Sequence, residues 1–351
     1  MATDARPLPR TTRKMPISVT SAVGLGLVAL LVVWLIINLV KTPADFVEIT
    51  LIGVTTGCVY ALIALGYTLV YGILELINFA HGDVFMLGGM VSATVAASWF
   101  GLSSGDSGVL VWLAVFGTLV VAMGFCGILN ASIEFVAYRP LRHAPRLAPL
   151  ITAIGMSFIL QNVALAWKGP NYIEVVDLLP HSNVFSIGGV DYQWNKLIVV
   201  LITLPVLLVL VWLVERTRQG KAMRATAQDR DASAMMGINV NRTISFTFLI
   251  AGALAGAAGL LYALYFTNIR YDQGFQLGLI AFTAAVLGGI GNLPGAVLGA
   301  ICIGLIQAYN EGLSWHAPGS DWTQSIVFGI LILILVFRPE GLLGERTPEG
   351  G

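Results

Sequence analysis

The stretch 273–310, QGFQLGLIAFTAAVLGGIGNLPGAVLGAICIGLIQAYN, carries no charged side chain. It is about twice as long as one membrane-crossing helix, which needs roughly 20 apolar residues at about 1.5 Å each. Its middle reads Gly288-Gly289-Ile290-Gly291-Asn292-Leu293-Pro294-Gly295, and glycine and proline at that density punctuate helices. The stretch therefore predicts two helices, or two halves around a break. The glycines, with Gly252, Gly256, Gly259 and Gly299, suit close helix packing through small residues. Asn292 and Pro294 sit at the break itself and are candidates for function.

Outward from this stretch the chain keeps the same character. Of its 351 residues 57% are hydrophobic and 11% charged, against about 25% charged in soluble domains. Further uncharged windows run 18–40, 49–74, 84–105, 107–133, 147–167, 197–214, 243–269 and 322–337. The expected fold is all-α, a polytopic membrane helical bundle of about 8–10 membrane segments with broken or re-entrant helices. It forms one membrane domain, 18–338, between an N-terminal tail 1–17 and a C-terminal tail 339–351. The first window exceeds a signal-peptide core and no small-residue cleavage site follows it, so it is expected to stay as a span.

Lys and Arg set the orientation. Of 19, all but Lys41, Lys168, Lys196 and Arg270 fall in segments that alternate to one side. Both termini, the loop around Arg139, Arg142 and Arg146, and the loop 215–242 are therefore expected in the cytoplasm, with loop 168–195 outside. This parity closes only if 273–310 crosses twice. In the external loop, VFSIGGVDYQW suggests a hairpin around Gly188-Gly189. Trp99, Trp167 and Trp322 fall near span ends, as interfacial anchors do.

With zero formal net charge, nothing argues for nucleic acid as a partner. Cys58, Cys126 and Cys302 lie singly in apolar runs without metal-ligand spacing and read as small core residues. There is no G-x-S-x-G elbow, no H-E-x-x-H and no Walker A motif. No catalytic, metal-binding or cofactor-binding set emerges, and any ATP that drives the protein is bound by another chain.

Two stretches carry candidate function. In Glu75-Leu76-Ile77-Asn78-Phe79-Ala80-His81-Gly82-Asp83, polar groups separate two apolar runs with almost no linker. One reading is a broken helix whose Asn78, His81 and Asp83 line a substrate route. The other is a tight cytoplasmic turn in which Asn78 and Asp83 cap helix ends. Gln161-Asn162 offers either an interhelical hydrogen-bond pair or an entry contact. The stretch 220–239, GKAMRATAQDRDASAMMGIN, reads as an amphipathic helix, either a solvated linker or a segment docked in a groove of another protein. Its Met235 and Met236 suit adaptable docking.

Several stretches resemble the inner-membrane permease subunit of branched-chain amino acid ABC transporters, the LivH type. They are YALIALGYTLVYGILELINFAHGD from Tyr60, EFVAYRPLRHAPRLAPLITAIGMSFILQN from Glu134, the 220–239 loop, and AFTAAVLGGIGNLPGAVLGA from Ala281. The resemblance implies a second related permease, two cytoplasmic ATP-binding subunits, a periplasmic solute-binding protein and an amino acid substrate in the cell inner membrane. It also implies that the loop with Arg224, Ala227, Gln228, Asp229, Arg230, Ala234 and Gly237 couples to the ATPase. Relatives of this group carry urea, short amides or aromatic acids. A proton-coupled secondary transporter using His81 and Asp83, or a membrane enzyme using Glu75 with them, are the rival classes. The family often has lysine where this chain has Ile280, and loop 168–195 matches no recognised pattern.

Overall fold

The computed structural model describes residues 19–344 apart from 107, 143, 146 and 339. The expectations for tail 1–17, for Arg146 and for 345–351 lie outside the described residues.

Two long helices open the chain: α1 (Val19–Lys41) and α2 (Pro43–Leu74). After a five-residue connection comes α3 (Ala80–Thr94), extended by a π-helical turn at Val95–Trp99. Next are α4 (Val109–Ile133), prolonged by irregular turns through Leu141, and α5 (Leu147–Lys168). The loop beyond holds β1 (Ile173–Glu174), β2 (Asn183–Ile187) and β3 (Val190–Gln193), and leads into α6 (Trp194–Arg216). Two short helices follow, α7 (Arg218–Gln228) and α8 (Arg230–Met235). The last third is α9 (Val240–Phe266), β4 (Asn268–Ile269), α10 (Gln273–Gly288), α11 (Leu293–Gly312) and α12 (Thr323–Phe337).

The molecule is a polytopic helical membrane bundle, with seven helices long and apolar enough to cross a bilayer among the described residues. The stretch 273–310 folds as two helices, α10 and α11, parted at Gly289–Asn292. Gly289 and Gly291 hold φ of +106° and +93°, a region open to glycine, which is why the break falls there. At about 1.5 Å per residue α3 and α10 are about 22 and 24 Å long, short of a hydrocarbon core of about 30 Å.

α2, α3 and α9 form the centre, where Val59, Phe85, Phe248 and Leu261 are fully enclosed. Small residues let backbones touch: a Cβ on Gly57 would stand 2.7 Å from the Ile301 Cα of α11. The outer helices turn apolar side chains outward, among them Phe116 of α4, Phe158 of α5, Leu208 of α6 and Ile332 of α12. A surface of that kind is stable against lipid and not against water. Asn38 fastens α1 to the loop before α12: its Oδ1 accepts from the Trp315 N–H at 3.2 Å, while Trp34 Nε1 donates to the Trp315 carbonyl at 3.1 Å.

Charge divides the two ends of the bundle. Arg139, Arg142, Arg224 and Arg230 gather at one end, where Arg142 donates to Asn241 at 2.5 Å and Arg230 to the Ile73 carbonyl at 2.9 Å. At the other end Lys196 pairs with Glu48 at 3.4 Å, Arg270 lies over Tyr172 and Lys41 over Trp315. The second end carries the expected hairpin: β2 and β3 pair antiparallel about Gly188 and Gly189, both at positive φ. It also carries a pairing that alternation along the chain does not signal, β1 with β4, which ties loop 168–195 to the end of α9.

Candidate functional site

The connection between α2 and α3 is shorter than the polar cluster it belongs to. α2 ends at Leu74 and is capped by Glu75, which turns the chain out of the helix in left-handed backbone (φ 55°) while its N–H donates to the Tyr71 carbonyl at 2.7 Å. α3 begins at Ala80, so His81 and Asp83 lie within the helix and are fully buried. The imidazole of His81 meets Tyr67 edge-on at 4.9 Å between centroids. It fits because residue 66 is glycine: a Cβ there would stand 2.2 Å from Nε2.

Neither Asn78 nor Asp83 caps α3, which corrects the capping alternative; the N-cap position is Phe79, with no side-chain bond. Asn78 Oδ1 instead accepts from the Tyr138 hydroxyl at 2.7 Å. Asp83 Oδ2 accepts from Ser157 Oγ at 2.5 Å, and Gln161 Nε2 donates to that same Oγ at 3.1 Å. Each group places one oxygen on a hydroxyl of another element, a bond that offsets part of the cost of burying it. Asp83 and Gln161 thus join α3 to α5 through Ser157, and Asn78 joins the α2–α3 connection to the end of α4; these two bonded sets, with His81, make up the polar seam. Asn162 is apart from it, exposed and bonded to the Phe158 carbonyl one turn back. Tyr138 and Ser157 were not singled out from sequence; Ser157 stands one helical turn before Gln161, the one signal available.

Asn292 and Pro294 lie elsewhere, at the basic end. Asn292 Oδ1 caps α11 through the Gly295 N–H at 2.9 Å, and its Nδ2 donates to the Leu343 carbonyl at 2.8 Å. The segment after α12 folds back on the break: Leu342 and Leu343 donate to the carbonyls of Leu287 and Gly288 at 2.8 and 3.0 Å. These bonds satisfy carbonyls that the end of α10 leaves open. Asn292 and Pro294 line a cleft of about 470 Å³ with Gly72, Ile73, Met223 and Ala227.

The 220–239 segment is two helices, not one. Asp229 leaves the helical region (φ −154°, ψ 115°), and its Oδ1 accepts from the N–H groups of Asp231 and Ala232, both at 2.9 Å. This N-cap ends α7 and restarts the chain as α8. Arg224 and Arg230 face their own chain: Arg224 donates to the carbonyls of Val214 and Glu215, and Arg230 to that of Ile73 at the end of α2. Ala227 is half-buried, whereas Gln228, Ala234 and Gly237 are exposed. Met235 and Met236 project furthest, 82% and 83% exposed.

A further cluster braces this end. Glu134, fully buried, accepts from Arg139 Nη2 at 3.0 Å and Ser245 Oγ at 2.7 Å, and pairs with Arg142. It joins the end of α4 to the start of α9. Arg139 and Arg142 are near neighbours of Glu134 in the chain, but Ser245, which completes the cluster, lies 111 residues on, beyond the reach of local sequence reading.

A family model described as branched-chain amino acid transport system, permease component, matches residues 49–336. The chain belongs to this permease family. The match runs from α2 to α12, so the polar seam, the paired helices α7 and α8, and the α10–α11 break all lie in the family region, and α1 precedes it. BraD of Pseudomonas aeruginosa, a high-affinity branched-chain amino acid transport system permease protein, is 42% identical over 300 residues, 85% of this chain and 95% of its own. LivH of Escherichia coli K12 is 39% identical over 303 residues, with the same coverage. LivH of Salmonella typhimurium is 38% identical over 303 residues, again with that coverage. No solved structure matches the chain.

Proposed function

We propose that this chain is the membrane-spanning permease subunit of an ATP-binding-cassette importer. It moves branched-chain amino acids from a periplasmic binding protein into the cytoplasm, and does no covalent chemistry. The observation that carries the mechanism is α8: an exposed pair of methionines on a helix held at its start by the Asp229 cap and the Arg230 bond to Ile73. Such a helix transmits a push because its base cannot slide independently of α2. Two partner ATPases bind and hydrolyse ATP beneath it, and a second related permease completes the path. The excess of arginine at the α7–α8 end supports a cytoplasmic placing of that end and of both termini, with the β2–β3 hairpin in the periplasm.

The substrate route passes beside the seam of Asn78, His81, Asp83 and Gln161. Asn292 and Pro294 border the cleft that Met223 and Ala227 of α7 share with Ile73 of α2. Movement of α8 changes the pull on Ile73, and through the short connection to α3 it shifts the seam. The test is uptake of labelled leucine into proteoliposomes holding this chain with its neighbouring permease, ATPases and binding protein. Leucine accumulation that requires both ATP inside and the binding protein outside is expected. Uptake by this chain alone on a proton gradient would overturn the reading.

A further inference from the structure

Between α3, α4 and α5 lies a groove of about 520 Å³ that the transport reading does not use. Its walls are Leu87, Val91 and Val95, Phe125 and Leu129, and Leu160 and Val163, with Trp99 and Trp167 at one end. The single hydroxyl among the lining residues belongs to Thr94 and is spent on the Met90 carbonyl at 2.8 Å, so apart from the two indole N–H groups at its end the groove is apolar. Phe125, Val163 and both tryptophans are also open to the outside of the bundle, Trp99 by 70%. The groove is therefore a slot in the lipid-facing wall. The π-helical turn Val95–Trp99 forms its upper lip and swings Trp99 outward.

Its length and its mouth indicate what fills it. From Leu87 to Trp99 is twelve residues, about 18 Å along a helix, close to the roughly 15 Å depth of one leaflet. The tryptophans stand at the end away from the arginine-rich face, where indole rings sit at headgroup level. Beside them is Lys168, its Nζ 4.8 Å over the Trp167 ring. Among the described residues no carboxylate pairs with it. We infer that this groove binds one phospholipid of the leaflet opposite the basic face, its acyl chain between α3, α4 and α5 and its phosphate at Lys168. The ammonium beside the mouth suits an anionic headgroup, a charge that an apolar protein helix lying in the groove would not bring.

The experiment uses the full chain, alone and within the assembled transporter, in vesicles of phosphatidylethanolamine and phosphatidylglycerol. A trace of phosphatidylglycerol with a photoactivatable diazirine near its acyl end is added, and labelled peptides are mapped by mass spectrometry. Label is expected to concentrate on α3, α4 and α5 at the groove, above that on the exposed face of α12 around Ile332. Val163→Trp, which fills the slot, is expected to remove the excess. Lys168→Ala, at the surface and without structural partners beyond Trp167, is expected to lower it about fivefold, equivalent to about 1 kcal/mol. Groove labelling equal to that of α12, or unchanged in Lys168→Ala, would overturn the assignment as bulk lipid only. So would loss of label on assembly, with a disulfide forming under an added oxidant between Val91→Cys and a cysteine placed on the second permease, which would make the occupant a protein helix.

Discussion

His81 and Gly66 illustrate how tightly individual residues are matched in this bundle. The imidazole occupies the space a side chain at position 66 would need, and Tyr67 closes one side of it. Adding a methyl group at Gly66 overpacks this site, at a cost of about 1–3 kcal/mol. Gly66→Ala is expected to lower the melting temperature of the purified chain, and to lower it less in a His81→Ala background. A double variant whose loss equals the sum of the two single losses would show that the two positions are not coupled. Asn78 and Asp83 make a related point, since both were open to reading as caps. Burial decided otherwise: each side chain satisfies a distant hydroxyl, Tyr138 or Ser157, that would be costly to leave unpaired.

At the scale of elements, α7 and α8 divide their labour. α7 is packed into the body through Met223 and Thr226, and α8 is offered outward. Met235 and Met236 touch little of their own chain, so replacing both with glutamate is expected to leave the melting temperature unchanged. The same change is expected to weaken co-purification with the ATPase subunits by at least about tenfold, as loss of an interface hot spot does. Undiminished co-purification would place the docking surface elsewhere. Arg230→Ala should behave differently and lower stability as well, because its guanidinium bonds α8 to the end of α2. The Asp229 break was within reach of the sequence, since an aspartate before a short helical run is a capping signal. The amphipathic pattern of 220–239 runs straight through Asp229 and masks it.

The whole molecule is organised by which end is basic. Single cysteines placed at His181 on one end and at Met236 on the other are expected to react with a membrane-impermeant maleimide from opposite sides of sealed vesicles. His181→Cys should label from the periplasmic side and Met236→Cys only after permeabilisation from it; the reverse pattern would invert the topology. The native cysteines interfere little, because Cys58 and Cys126 are buried and Cys302 half-buried.

What the sequence by itself determined is whatever depends on runs of neighbours. Long uncharged windows read as bundle helices, glycine density placed the α10–α11 break, Gly188-Gly189 placed the hairpin, and arginine spacing sorted the two ends. The quoted motifs carried the family. Each signal is local, set by backbone freedom, hydrophobic length or charge near a span end. Only tertiary structure decided that Asp83 meets Ser157, that Glu134 gathers Arg139, Arg142 and Ser245, and that the segment after α12 closes the end of α10. It also brought β1 to β4 and opened the groove beneath Trp99. The reason is physical: inside a bundle a buried polar group takes the nearest partner in space. Which helix supplies that partner is fixed by how small residues let backbones approach, a property of the assembled packing and not of any one stretch of chain.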